Sequence, residues 1–537
     1  MKDRKGESNM TVEQFLEEQN KVIKDLHVTS ASSSWMAATT GEDEWNQKTA
    51  EAQNAFNEYL SNTERFEQVN AYLAQDDLTA VQRRQLETLR TGMAGKQIPE
   101  ADLKDMVERS TELIGIFNTF RATIDGKPVS ENDIRDILIK SNNLEEREEA
   151  WHASKQIGKE VEEKLLTLVK KRNEVARSLG FENYHQMSFE HQELDRDEVF
   201  SIFHKLKELS DEPFRQMKHE MDSELAERFG ISIDDLRPWH YADPFFQEAP
   251  PSKELNLDPF YEGKDLEKLT IDTFKSTGMD ITDMLAKSDL YPRDKKNQHA
   301  FCTDIDREGD VRVLCNNVPS DYWSVTTLHE FGHAVYFKYV DRQLPFLLRT
   351  CAHTLTTEAI AMLYGRFGKN PAWLHQFLGL EQAEVEELTP LIEESLRRQM
   401  LIAGRWIMAF TFFERELYEN SDQDLNKLWW KIVQDVQFVN PPENVDYPHW
   451  AAKIHFTLVP VYYQNYLLGE LTTSQLHSYI ENNISKDMFT PEVGTYLVEE
   501  YFKPGALYPW NEKIEKATGE KLNPQFFIDQ FVVKALV

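Results

Sequence analysis

Residues 324–340 read SVTTLHEFGHAVYFKYV, and this run decides how the rest of the chain is read. Placed on a helix, His329 and His333 are four residues apart and project from one face. Two imidazoles so placed can hold one zinc ion, with Glu330 facing a water on that ion. The same pattern also arises as an amphipathic helix that carries two surface histidines.

Further along, 354–368 read TLTTEAIAMLYGRFG and predict a second helix. Glu358 lies 25 residues after His333, among small and apolar neighbours. An acid in such company needs a metal or a cation as partner. Zinc ligation and a salt bridge to Arg349 or Arg366 are the two readings. Two histidines, one glutamate and one water form a common catalytic zinc set. Zinc would lower the pKa of its water and polarise a carbonyl. Glu330 would take the proton from that water and pass it on. The run from Trp450 through Lys453, His455 and Tyr463 to Tyr466 offers further donors: a cation, an imidazole and phenols. Tyrosines at such spacing also serve as core packing.

Outward from these runs the chain reads as helix. Residues 45–73, 144–179 and 195–229 carry apolar positions at helical spacing, the last stopping at Gly230, where a C-terminal cap belongs. Two stretches differ. Residues 237–263 hold five prolines and many aromatics and predict an ordered, irregular crossing, with a plain surface loop as the alternative. Residues 299–316 place two β-prone runs around an Asp/Gly turn and predict a hairpin. The 537 residues would suggest several domains by length. No flexible linker divides them, so one large body is expected, with a helical lid and first lobe over about 1–230 and a core over about 231–537.

The chain carries 92 acidic against 60 basic residues, a net charge of −32. So acidic a surface repels phosphate and argues against nucleic acid as a partner. No membrane-spanning run is present: the most apolar stretch, 401–413, contains Arg405 and is too short. The first twenty residues are charged and lack the apolar run of an export signal. Three cysteines are too few for a disulfide framework. A cytoplasmic location is expected; the alternative is export, directed by a signal absent from this chain.

Taken together, these motifs resemble the angiotensin-converting enzyme family of zinc peptidyl-dipeptidases. His299-Ala300 stands where that family has a His-Ala pair on a strand, 30 residues before His329. Gly332-His333 and the aromatics after it are similar to the family's zinc helix. Glu358-Ala359-Ile360 is similar to the opening of its third-ligand helix. Lys453, His455, Tyr463 and Tyr466 resemble its Lys-x-His pair and later tyrosines. Fainter echoes lie in 34–40 and 505–532.

The resemblance implies a mainly helical, all-α fold with one small hairpin by the site, shaped as a two-lobed ellipsoid around a deep cleft. It implies one zinc per chain on His329, His333 and Glu358, with Glu330 as base and proton shuttle. His455 and Tyr466 would stabilise the tetrahedral intermediate. Lys453, Tyr463 and Gln247 would grip the C-terminal carboxylate of an oligopeptide, and His299 and Ala300 would lie along that peptide. The implied activity is the release of C-terminal dipeptides.

This chain departs from the family pattern in several places. Glu358 comes one residue later than usual, and the step from His455 to Tyr463 is also longer by one. Met362 replaces an acid that supports a zinc histidine, a loss worth about ten- to a hundredfold in metal affinity unless another residue substitutes. Gln298 replaces a cysteine that pairs with the equivalent of Cys315. Asn465 replaces an arginine of a chloride site. These changes lean toward the thimet and oligopeptidase F type of endo-oligopeptidase, the second reading. A non-catalytic helical binding protein is the third, and an intact Glu330 argues against it, because zinc binding alone does not need that residue.

Overall fold

The computed structural model describes residues 10–250 and 255–533. Among them the chain is overwhelmingly helical, with two small sheets, each a pair of antiparallel strands. The expected hairpin is present: Phe301–Asp304 pairs with Val311–Leu314, Phe301 opposite Leu314 and Asp304 opposite Val311. The second hairpin, Ala122–Ile124 with Lys127–Val129, was not foreseen. Its turn is Asp125-Gly126, both at positive φ (50° and 75°), the Asp-Gly signal of a two-residue hairpin turn. Strands of three residues are too short for alternation to show.

The long helices follow their caps. Leu144–Ser178 starts at Asn143, whose side chain accepts the Glu145 and Glu146 N–H groups. Arg196–Phe229 starts at Asp195, which accepts the Glu198 N–H, and ends at Gly230 in the left-handed conformation. The single helix expected over 45–73 is instead two, Asp43–Leu60 and Thr63–Leu73. Asn62 breaks it, because its side chain accepts the Arg65 N–H and starts a new helix.

The chain forms two compact units, each drawn from three segments. The first takes Met1–Gln97, Leu257–Val385 and Gln475–Leu522. Its N-terminal helices bury Phe15, Leu16, Val69 and Leu86 against Phe346 and Leu347. It also contains the hairpin and the helices of His329 and Glu358. The second unit takes Ile98–Asn256, Glu386–Ser474 and Asn523–Val537. Its core groups Trp151 with Trp239, Trp430 and His449, and stacks Phe410 between Phe456 and Tyr463, each 4.3 Å away. Among the described residues no helix is long and apolar enough to cross a membrane.

The proline-rich crossing is ordered where described; residues 251–254, with Pro251, lie outside the described residues. Short 3₁₀ turns at Pro238–His240 and Asp258–Tyr261 shape it. Such a segment leaves carbonyls without helical partners, and buried cations take them up. The Arg147 guanidinium donates to the carbonyls of Trp239 and Tyr241. Arg172 does the same for a segment that matters below: it donates to Phe456 O at 2.8 Å, Thr457 O at 2.9 Å and the Tyr418 hydroxyl at 3.0 Å.

Removing Arg172 therefore strips two buried carbonyls of their donor. Arg172→Met is expected to destabilise the protein by about 2–6 kcal/mol, at about 1–3 kcal/mol for each unpaired group. Thermal unfolding checks this; an unchanged Tm would mean that the guanidinium is not what holds residues 456–457.

Candidate functional site

Two helices of the first unit build the centre. Asp321–Lys338 is capped by Ser320, whose hydroxyl accepts the Trp323 N–H, and Thr354–Phe367 is capped by His353. They pack unusually close at one point. A Cβ added at Gly332 would lie 2.8 Å from Ala361 Cα and 3.0 Å from Ile360 O, so only glycine fits. Glu358 sits one turn before Ala361 and so meets the face that carries His329 and His333.

The ligating atoms of these three residues all lie within 4.8 Å of one another. His329 Nε2 is 3.6 Å from Glu358 Oε2, and His333 Nε2 is 3.7 Å from Glu358 Oε1. These separations are too long for hydrogen bonds. A tetrahedral zinc with bonds of about 2.0–2.1 Å holds its ligand atoms about 3.3–3.4 Å apart. The donor set fits zinc with only small adjustment. Burial pushes His329 down to about 4 and His333 to about 3, so both imidazoles are neutral, the form that ligates. His333 Nδ1 also lies 2.8 Å from the Thr357 hydroxyl. Arg349, one of the cations considered for Glu358, pairs with Glu308 at 3.0 Å.

Glu330 is buried beside this set. Burial and the Glu358 charge raise its carboxyl to about 8, while the backbone dipole at Cys302 pulls the other way. A bound cation would also favour the ionised form. The hairpin thus touches Glu330 through its first strand. His299 and Ala300 do not lie on that strand, which begins at Phe301; they occupy the bend before it, where the His299 N–H bonds the Asn297 side chain instead of a strand partner. Cys302, Cys315 and Cys351 are all free thiols.

The second unit gathers the other candidates. Lys453 Nζ donates to Gln247 Oε1 at 2.7 Å and lies over the rings of Phe245 and Trp406, 5.3 and 5.2 Å from their centroids. It is therefore no solvated helix charge. Burial pulls its ammonium down to about 8, opposed by Asp243, Glu248 and Glu131. The His455 ring lies 5.2 Å from that of Tyr463, which lies 5.4 Å from that of Tyr466. Burial, with Lys453 adding to it, lowers His455 to about 4. Tyr463 is raised to about 12 by burial and accepts the Trp406 indole N–H at 2.9 Å. Tyr466, in the first turn of Gln464–Asn483, is 43% exposed.

Sequence reading missed Asp243 and Trp406. Asp243 is buried and accepts the N–H groups of Phe245, Gln247 and Glu248, which fixes the loop that presents Gln247. The aromatic density of the crossing was the available signal. Asn465, one of the departures from the family pattern, donates to Gln192 Oε1 at 2.8 Å.

Residues 137–533 match the model of peptidase family M3, and residues 6–230 match that of angiotensin-converting enzyme. The first of these covers the centre and the Lys453 cluster. Among curated proteins, a thermostable carboxypeptidase 1 of Pyrococcus furiosus is 23% identical over 43% of this chain and 51% of its own length. Carboxypeptidase 1 of Bacillus subtilis is 25% identical over the same shares. An angiotensin-converting enzyme-related protein of Drosophila melanogaster is 23% identical over 43% of this chain and 40% of its own. The chain spans about half the length of the curated relatives it matches.

The close helix contact makes a sharp contrast testable. Gly332→Ala should destabilise by about 1–3 kcal/mol, as overpacking does, and should weaken zinc binding by displacing Glu358. Gly92, also helical, has nothing within 4 Å of an added Cβ. Gly92→Ala should be neutral or stabilise by up to about 1 kcal/mol. Thermal melts and zinc titration check both; equal effects would refute the packing account.

Proposed function

The chain belongs to peptidase family M3, and from that premise we propose that it is a zinc-dependent peptidase that removes dipeptides from the C-terminal end of oligopeptides. The observation that carries the zinc assignment is the convergence of His329, His333 and Glu358 on one point beside a buried Glu330. Each chain would hold one zinc. When bound, zinc supplies Lewis acidity to a water and to the scissile carbonyl.

The remaining steps belong to side chains. Glu330 takes a proton from the attacking water on a carboxylate oxygen and delivers it to the leaving nitrogen. The His455 imidazole N–H and the Tyr466 hydroxyl donate to the oxygen that gains charge. Lys453 Nζ, with the Gln247 amide and the Tyr463 hydroxyl, holds the peptide's C-terminal carboxylate. Recognition of that carboxylate would set where the chain is cut. The Lys453–Gln247 bond supports this part of the reading, as a cation already oriented and partly desolvated. Two relatives named carboxypeptidases agree with recognition of a C-terminus. His299 and Ala300 keep their proposed place along the peptide, supplied by a bend and not by a strand edge.

Digestion of matched free-acid and amidated peptides, with products identified by mass, tests the specificity. Dipeptide release from free acids only is expected. Internal cleavage of both would establish the endo-oligopeptidase reading in its place.

Two further outcomes follow. Glu330→Gln should keep zinc and lose about 10²- to 10⁴-fold in kcat; parent-like turnover would remove Glu330 as the base. For free-acid peptides kcat/KM should fall as pH rises through about 8, where Lys453 loses the proton that gives it charge. The Lys453→Ala variant should lack that limb. Its persistence in Lys453→Ala would assign it to another group.

A further inference from the structure

His333 is the more buried of the two histidines, with 12% of its side chain exposed against 29% for His329. Its ring must present Nε2 to Glu358 with a free lone pair. A neutral imidazole carries one proton, and whichever nitrogen keeps it cannot ligate. Something must therefore hold the proton on Nδ1.

Resting on the zinc reading above, we propose that Thr357 is the positioning residue that does so, its hydroxyl oxygen accepting Nδ1–H of His333 and leaving Nε2 bare toward Glu358. The contact is 2.8 Å, and Thr357 is 5% exposed, so water does not compete freely for either partner. Thr357 precedes Glu358 on the same helix. One rigid element thus supplies both the third donor and the support for the second, so any shift of that helix moves both together. Its β-branched side chain has few rotamers, which keeps the oxygen in place. Among the described residues His329 makes no side-chain hydrogen bond of this kind, so the support falls on one histidine only.

Without the acceptor, Nδ1–H would be buried and unpaired. The ring would then favour the tautomer with its proton on Nε2, which metal binding must reverse. Loss of a partner that orients a metal ligand lowers metal affinity about 10- to 100-fold.

The test is zinc affinity of the metal-stripped full chain, measured by competition with a fluorescent chelator. Thr357→Val should bind zinc about 10- to 100-fold more weakly. Thr357→Ser, which keeps the oxygen, should restore affinity close to the parent. Thr356→Val serves as control: it removes a buried hydroxyl that bonds the His353 carbonyl at 2.7 Å and not His333. It is expected to lower Tm and leave zinc affinity unchanged. Circular dichroism establishes folding, and Thr357→Ala compared with Thr357→Ser repeats the test if the valine variant fails to fold. Parent-like affinity of Thr357→Val or Thr357→Ala, or a serine variant as weak as either, would overturn the proposal. A parent chain that binds no zinc would defeat the underlying reading of the centre and this proposal with it.

Discussion

The close approach of two helices at Gly332 is the constraint on which the centre depends. Ala361 Cα and Ile360 O occupy the space that any side chain at 332 would need. With a hydrogen there, the two backbones meet, and residues one turn earlier on the second helix reach the histidines of the first. Glu358 and Thr357 both come from that turn. The donor set is therefore carried by two rigid elements and not by loops, which is how a site is held within the tolerance that metal binding requires. The hairpin adds a third fixed element beside Glu330, whose carboxyl the backbone at Cys302 pulls toward the ionised form.

Charge is handled differently in the two units. The chain is strongly acidic overall, yet the first unit's centre relies on neutral imidazoles and a carboxyl that burial holds up near 8. The second unit buries cations. Lys155, 2% exposed, lies 3.1 Å from the Phe245 ring centroid, with its charge disfavoured by burial and supported by Asp243. Lys453 shares that aromatic floor and that carboxylate. A cation held on ring faces and poorly hydrated gives up little water when an anion arrives, which suits capture of a carboxylate.

Much of this was legible in the sequence because it is local. The His329–His333 spacing, the capped helices at 144–178 and 196–229, and the hairpin with its Asp/Gly turn each follow from residues close in the chain. Glu358 was found because an acid among apolar residues needs a partner. The misses have two causes. Some signals were short: Asn62 capping a new helix, and Asp125-Gly126 closing three-residue strands. Others were long-range. Nothing near Gly332 announces Ala361, and nothing near Thr357 announces His333. Trp406 earns its place only through Tyr463 and Lys453, 57 and 47 positions away, and Asp243 faces Lys155 and Lys453, 88 and 210 positions away. The strand start at Phe301, one residue past the His-Ala pair, shows that a motif carried over by resemblance fixes a place in the chain before it fixes a conformation.

The central claim is that packing at Gly332 assembles a three-residue metal centre. X-ray absorption at the zinc edge of the loaded protein tests it most directly. The account predicts two imidazole nitrogens at about 2.0–2.1 Å and oxygen ligands at about 2.0–2.2 Å from one carboxylate and one water, with one oxygen shell changed in Glu358→Gln. A spectrum without imidazole scattering, or one that Glu358→Gln leaves unaltered, would contradict it.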